Sequence, residues 1–212
     1  SFNNYDMQLK SFQSTANKET ETNLSELNET LKQLAQVNKL IMSGGSKNSS
    51  PDILDARDQL LSKLSNLINF SVDYGKSGEA KITSGSSGNG KILLEDTNFS
   101  ILTHTIQENK IVFNVNRDAK TSALNSFSSG ILSGIKNFYD FSSDVQSEIN
   151  DLARRVARDF NEIQKIGIDL NGKIGSSMFS INSMEAKVNG NNNSNFNVEF
   201  IISDEDKISQ EA

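Results

Sequence analysis

Residues 134–167 read GIKNFYDFSSDVQSEINDLARRVARDFNEIQKIG. Apolar side chains fall at Phe138, Phe141, Val145, Ile149, Leu152, Val156, Phe160 and Ile163, always three or four residues apart. That spacing is the period of one helix face. Asp140 or Ser142 is the expected N-terminal cap, accepting from free backbone N–H groups. Gly167 is the expected stop, because glycine takes the left-handed conformation cheaply. The opposite face carries Asp151, Arg154, Arg155, Arg158, Asp159 and Glu162, with Asp151–Arg155 and Arg158–Glu162 one turn apart. A helix over about 138–166 with one narrow apolar stripe cannot fold alone. The rest of the chain must supply its partners.

The first partner lies at the start. Residues 2–42 carry apolar or small side chains at heptad-like spacing from Phe2 through Leu24, Leu27, Leu31 and Leu34 to Ile41, with Asn38 in the same stripe. The seam slips between Ala16 and Leu24, where a coiled coil unwinds. A helix of about 40 residues is roughly 60 Å long, which suits an elongated molecule. Residues 43–49 are a Gly/Ser loop. Ser50-Pro51 then opens a second helix, with Ser50 at the N-cap and Pro51 at the first helical position. The short loop predicts an antiparallel pair.

At Phe70 the period changes. SVDYG, EAKITS, KILLED, FSILTHTI and KIVFNVN read as short strands, separated by glycines and by the Glu108-Asn109 turn. After Gly167 the chain is turn-rich, and MEAKV and FNVEFIIS read as strands around the loop 189–194. The expected fold is α+β and mainly α. It is an elongated antiparallel bundle of three long helices, with a small inserted β subdomain and the start of a second β domain at the C-terminus. Residues 1–70 and 122–178 form the discontinuous bundle, 71–121 the insertion, and 179–212 a β segment of an outer domain. Leu24, Leu27, Leu31, Leu34, Leu61, Leu64, Val145, Ile149, Leu152 and Val156 are its expected core.

Composition narrows the chemistry. The net charge is −6 over 212 residues, which argues against nucleic acid or an anionic membrane as the main partner. No apolar run approaches the roughly 18 residues of a membrane span. The chain has no cysteine, so thiolate catalysis, disulfides and thiolate metal sites are excluded. The single histidine, His104, has no second imidazole with which to complete a metal site. Gly85-Ser86-Ser87-Gly88-Asn89-Gly90-Lys91 nearly matches a phosphate-binding loop. The next residue is Ile92 in place of Ser or Thr, and a strand pattern follows where a helix is needed. A hairpin turn is the better reading. Asp169-Leu170-Asn171-Gly172 opens like a calcium loop, but Ser180 stands where the bidentate glutamate belongs. Acidic pairs such as Asp204/Asp206 read as solvated surface. No catalytic residue, cofactor or metal is expected.

Arg57, within Asp55-Ala56-Arg57-Asp58, is the polar residue that stands apart on a helix rich in leucine and lysine. Its fork can hold a carboxylate through two hydrogen bonds. Arg57, Asp58, Asp140 and Asp144 are therefore the expected structural set, with Arg57 either a surface charge with local partners or an ion-pair bridge between the second and central helices.

Three stretches resemble the flagellar hook-associated protein 1 family: NLSELNETLKQLAQVNKLI before the Gly-rich loop, PDILDARDQLLSKLSNLINFSV, and GILSGIKNFYD continuing to LARRVARDFNEIQKIGIDLNGKIGSSMF. They cover most of residues 1–180 in the family's order, and the second is the most specific. The resemblance implies a non-enzymatic structural component of the bacterial flagellum at the hook–filament junction. It implies an extracellular location, export through the flagellar secretion apparatus without a cleaved signal, and self-assembly with neighbouring axial proteins, the hook protein and other hook-associated proteins among them. The chain reads as the middle of such a protein, without its polymerising ends, and is expected to be monomeric by itself. Another axial protein (the third hook-associated protein or a flagellin) and a helical surface adhesin are the alternatives.

Overall fold

The structure, a computed structural model, describes residues 2–44, 50–124, 127–168, 170–181 and 198–200. The strand expected at MEAKV, the loop 189–194 and Asp169 lie outside them. The chain divides into two compact units, one of Leu9–Ser143 and one of Ser1–Gln8 with Asp144–Ala212.

Three long helices and antiparallel sheets make the fold α+β. Helix α1 spans Phe2–Gly44 and α2 spans Pro51–Leu67. Ser50 occupies the N-cap of α2 with its carbonyl rather than its hydroxyl, accepting from the Ile53 N–H at 2.9 Å. Seven strands follow within the Leu9–Ser143 unit: β1 (Phe70–Tyr74), β2 (Ala80–Ser84), β3 (Ile92–Glu95), β4 (Asn98–Phe99), β5 (Ile101–Gln107), β6 (Lys110–Arg117) and β7 (Lys120–Leu124). They form two antiparallel sheets, ordered β1-β2-β3-β4 and β5-β6-β7. The second sheet is a meander joined by the two-residue turns Glu108–Asn109 and Asp118–Ala119. All four of these residues have φ between 49° and 59°, the left-handed pair of a type I′ hairpin, whose twist matches that of the strands.

The sequence pattern ends the β region one strand early. Lys120–Leu124 has one large apolar residue and follows a turn without glycine, so neither periodicity nor punctuation marks β7. Likewise FSILTHTI is two strands. They are divided at Ser100, which is fully buried, with its N–H on the Leu93 carbonyl and its hydroxyl on the Ile92 carbonyl.

Helices and sheets of this unit share one core. Leu24, Leu27, Leu31 and Leu34 of α1 and Leu61, Leu64 and Leu67 of α2 join Ile82, Leu93 and Leu94 of the first sheet and Leu102, Ile111 and Phe113 of the second. Each fully buried leucine is worth about 1.5–3 kcal/mol.

Helix α3 spans Ile131–Ile166 and begins earlier than its apolar stripe predicts. Gly130, at φ +96°, turns the chain into it with no room for a Cβ beside the Leu67 carbonyl. Leu132 is fully buried in the first turn, and Ile135 packs on the core. Asp140 and Ser142 are therefore helix interior, not caps. At the other end Gly167 does follow the last helical residue, but it is not left-handed; its N–H closes on Ile163 and Gln164 carbonyls. The chain then turns back through an Ile168–Ile174 bridge. Strand β8 (Phe179–Ile181) pairs antiparallel with β9 (Val198–Phe200). β9 lies within the expected FNVEFIIS strand, whereas β8 has no sequence signal of its own.

The stripe along α3 is the largest departure from expectation. Phe138, Phe141, Leu152, Phe160 and Ile163 are between 45% and 66% exposed, and Val145, Ile149 and Val156 are half-buried. The residues α3 does bury are Leu132, Ser133, Tyr139, Ser142, Ser143, Ala157 and Asn161. At 100° per residue the two sets are centred roughly 130° apart, more than a third of a turn. Small and polar side chains face inward because they allow close approach and meet backbone partners. The apolar stripe is left beside them.

Candidate functional site

Two features of this molecule can carry a function: the joints that fix helices to sheets, and the partly exposed stripe of α3, where Phe138 meets Phe12 edge-on with ring centroids 6.1 Å apart.

The joints are built largely from asparagine amides. A primary amide carries a donor and an acceptor side by side, so it can pair with the N–H and C=O of one residue as a neighbouring strand would. Asn38 of α1 is fully buried. Its Nδ2 donates to the carbonyls of Ala80 at 2.7 Å and Asp96 at 2.8 Å, and its Oδ1 accepts from the Ala80 N–H at 2.8 Å. Ten residues earlier on the same helix, Asn28 does the same to Leu102, donating to its carbonyl at 2.9 Å and accepting from its N–H at 2.8 Å. One helix thus holds the first sheet at β2 and the second at β5. A third asparagine, Asn17, places its Oδ1 2.8 Å from Nε2 of His104. Partial burial holds the His104 imidazole below its usual range, with the Glu21 charge acting in the opposite direction. His104 is therefore a joint residue. An open groove of about 640 Å³ beside it is lined by α1 residues from Glu21 to Lys32 and by Phe99 to His104.

Helix α3 grips the second sheet differently. Asp140 accepts from the Ile111 N–H at 3.0 Å and pairs with Lys136 at 2.6 Å, and Lys136 donates to the Ile111 carbonyl at 2.6 Å. A lysine–aspartate pair one turn apart together does what one asparagine does elsewhere. In the other unit Asn161 repeats the amide form, bonding the N–H and C=O of Phe179 at 2.9 and 2.8 Å, with the Phe160 and Phe179 rings 6.1 Å apart.

The four sequence-selected residues do not gather into one cluster. Arg57 bonds Asp58 through Nε and Nη2, both at 2.8 Å, and donates from Nη1 to the Gly78 carbonyl at 2.7 Å; its guanidinium lies 4.5 Å over the Tyr74 ring. Its side chain is 12% exposed while that of Asp58 is 59% exposed. Arg57 thus ties α2 to the β1–β2 turn, and the expected bridge to Asp140 is replaced, since Asp140 is already engaged by Lys136 and Ile111. Asp144 belongs to the other unit. The asparagines were missed because an amide reads as surface. The available signal was Asn38 inside an apolar seam, where a lone polar residue fixes register.

The near phosphate-loop is the connection between β2 and β3. Lys91 is held there by its own backbone, with the Ser84 N–H on its carbonyl and its N–H on the Ser84 hydroxyl, both at 2.9 Å. It leads into a strand, so no helix N-terminus faces it. Among the described residues no three His, Asp or Glu side chains are placed to hold a metal ion, and no helix is long and apolar enough to cross a membrane.

Comparison with known proteins finds a matching family. The model of the flagellar hook-associated protein FlgK helical domain matches residues 1–179. Flagellar hook-associated protein 1 of Bacillus subtilis (strain 168) is 26% identical over 212 residues, covering 88% of this chain and 42% of that protein. The solved structure of the flagellar hook junction protein FlgK from Burkholderia pseudomallei has a similar fold, with a TM-score of 0.71 at 22% identity, over 84% of this chain and 33% of that one. The chain therefore spans less than half the length of either relative.

Proposed function

We propose a structural, non-enzymatic role at the hook–filament junction of the bacterial flagellum for this chain, which belongs to the flagellar hook-associated protein FlgK helical-domain family. The family match over residues 1–179 carries the reading. The exposed stripe of α3 supports it, because large apolar side chains at helical spacing on a soluble surface mark an interaction face. In the full-length protein the three helices form a bundle from residues 1–70 and 122–178, with 71–121 as a β insertion and 179–212 as part of an outer β domain. The partners are further copies of the protein and neighbouring axial proteins, the hook protein and other hook-associated proteins among them. Its place is extracellular. Arg57 with Asp58, and Asp140 with Lys136, serve as internal braces that keep the sheets aligned under load.

Labelled antibody against this chain, imaged on intact flagella, tests the reading. A single band of label between hook and filament is the expected result. Label along the whole filament would favour a flagellin, and label over the cell body an adhesin; either would overturn the junction assignment.

A further inference from the structure

We propose that Asn89 is a self-modifying site at which the chain converts its own asparagine to isoaspartate. Asn89 is exposed on the β2–β3 connection and precedes Gly90. Among the described residues its amide has no partner, and neither has the Gly90 N–H. Both reacting groups are therefore free: the side-chain carbonyl carbon as electrophile and the Gly90 backbone nitrogen as nucleophile. Residue 90 must also be glycine, because a Cβ there would collide with the Ser84 carbonyl. The close packing that requires glycine thereby keeps the nucleophile unhindered.

The reaction balances with water alone. The Gly90 nitrogen gives up its proton and attacks Cγ of Asn89; the new C–N bond forms, the Cγ–NH2 bond breaks, and ammonia leaves. Water then opens the resulting succinimide at one of its two carbonyls, giving aspartate or isoaspartate. Isoaspartate places one extra methylene in the main chain and a new carboxylate beside Lys91. That lengthens the link between Ser84 and Lys91, residues hydrogen-bonded to each other. The strand ends must loosen to accommodate it. No enzyme is needed, so the extent of conversion records time, temperature and pH.

Two other Asn-Gly pairs occur, Asn171-Gly172 and Asn189-Gly190; the second lies outside the described residues, and the first provides the internal comparison. Asn171-Gly172 has the same local chemistry, but Asn171 is engaged in an interaction of its own. The test incubates the folded full chain at mildly alkaline pH and follows both sites by peptide mapping and by labelling with an isoaspartyl methyltransferase. Asn89 is expected to convert several-fold faster than Asn171 in the folded chain, and at a similar rate in urea. Asn89→Gln should abolish the labelling that maps to the peptide holding residue 89 while leaving the circular dichroism unchanged. Equal rates in the folded chain, faster conversion at Asn171, or no conversion at Asn89 would overturn the proposal.

Discussion

Asn38 is the residue on which the attachment of the first sheet depends. Replacing it with leucine keeps the number of side-chain heavy atoms but removes the partner of the Ala80 N–H and of the Ala80 and Asp96 carbonyls. Urea unfolding should show a loss of about 2–4 kcal/mol. Asn38→Asp should also destabilise, because a carboxylate cannot donate to the Ala80 and Asp96 carbonyls. Arg57 should matter less than a buried inter-helix ion pair would. Its carboxylate partner is exposed, so Arg57→Ala forfeits one backbone hydrogen bond and one contact with Tyr74, about 1–2 kcal/mol together. Lysine should recover only part, since it cannot reach Asp58 and Gly78 at once. Ala119, at φ +59°, is a strained turn residue, and Ala119→Gly should raise stability by about 0.5–1 kcal/mol. The sequence made Arg57 conspicuous and hid the asparagines. Charge on a leucine-rich helix is visible by composition, whereas an amide's value depends on which backbone it meets.

Among the elements, the long helices were legible because their period repeats over many turns, and their ends were less so. The start of α3 is decided by Gly130 against Leu67, a contact between residues 63 positions apart in the chain that no local pattern contains. Periodicity likewise identified the stripe of α3 but not its environment. A stripe shows that some apolar face exists; which face packs inward depends on partners. The offset between stripe and packed face makes a paired prediction. Phe141→Ser should change the unfolding midpoint within the range of an ordinary surface substitution, about 0.5 kcal/mol or less. Ala157→Leu, on the packed face, should overpack and cost about 1–3 kcal/mol. The joint between α1 and β5 should respond to acid. His104 titrates lower in the folded chain than its ordinary 6.5, so the unfolded chain binds the proton more readily. Its contribution is complete above pH 6.5 and is lost as pH falls through the folded value. Thermal melts of His104→Gln should be flatter in that window than those of the parent. Equal slopes would place His104 outside the joint's energetics.

For the whole molecule, the central claim is that these braced helices and sheets belong to a junction protein rather than to a catalyst. The net charge of −6 opposes self-association in dilute solution, and sedimentation should show a monomer. A tight oligomer whose mass is independent of concentration would mean that the surfaces of this chain assemble unaided. The role itself is read most directly in the cell. Electron micrographs of a strain lacking the protein should show complete hooks without filaments, and restoring the full-length protein should restore the filaments. Normal filaments on hooks in the deletion strain would contradict the account.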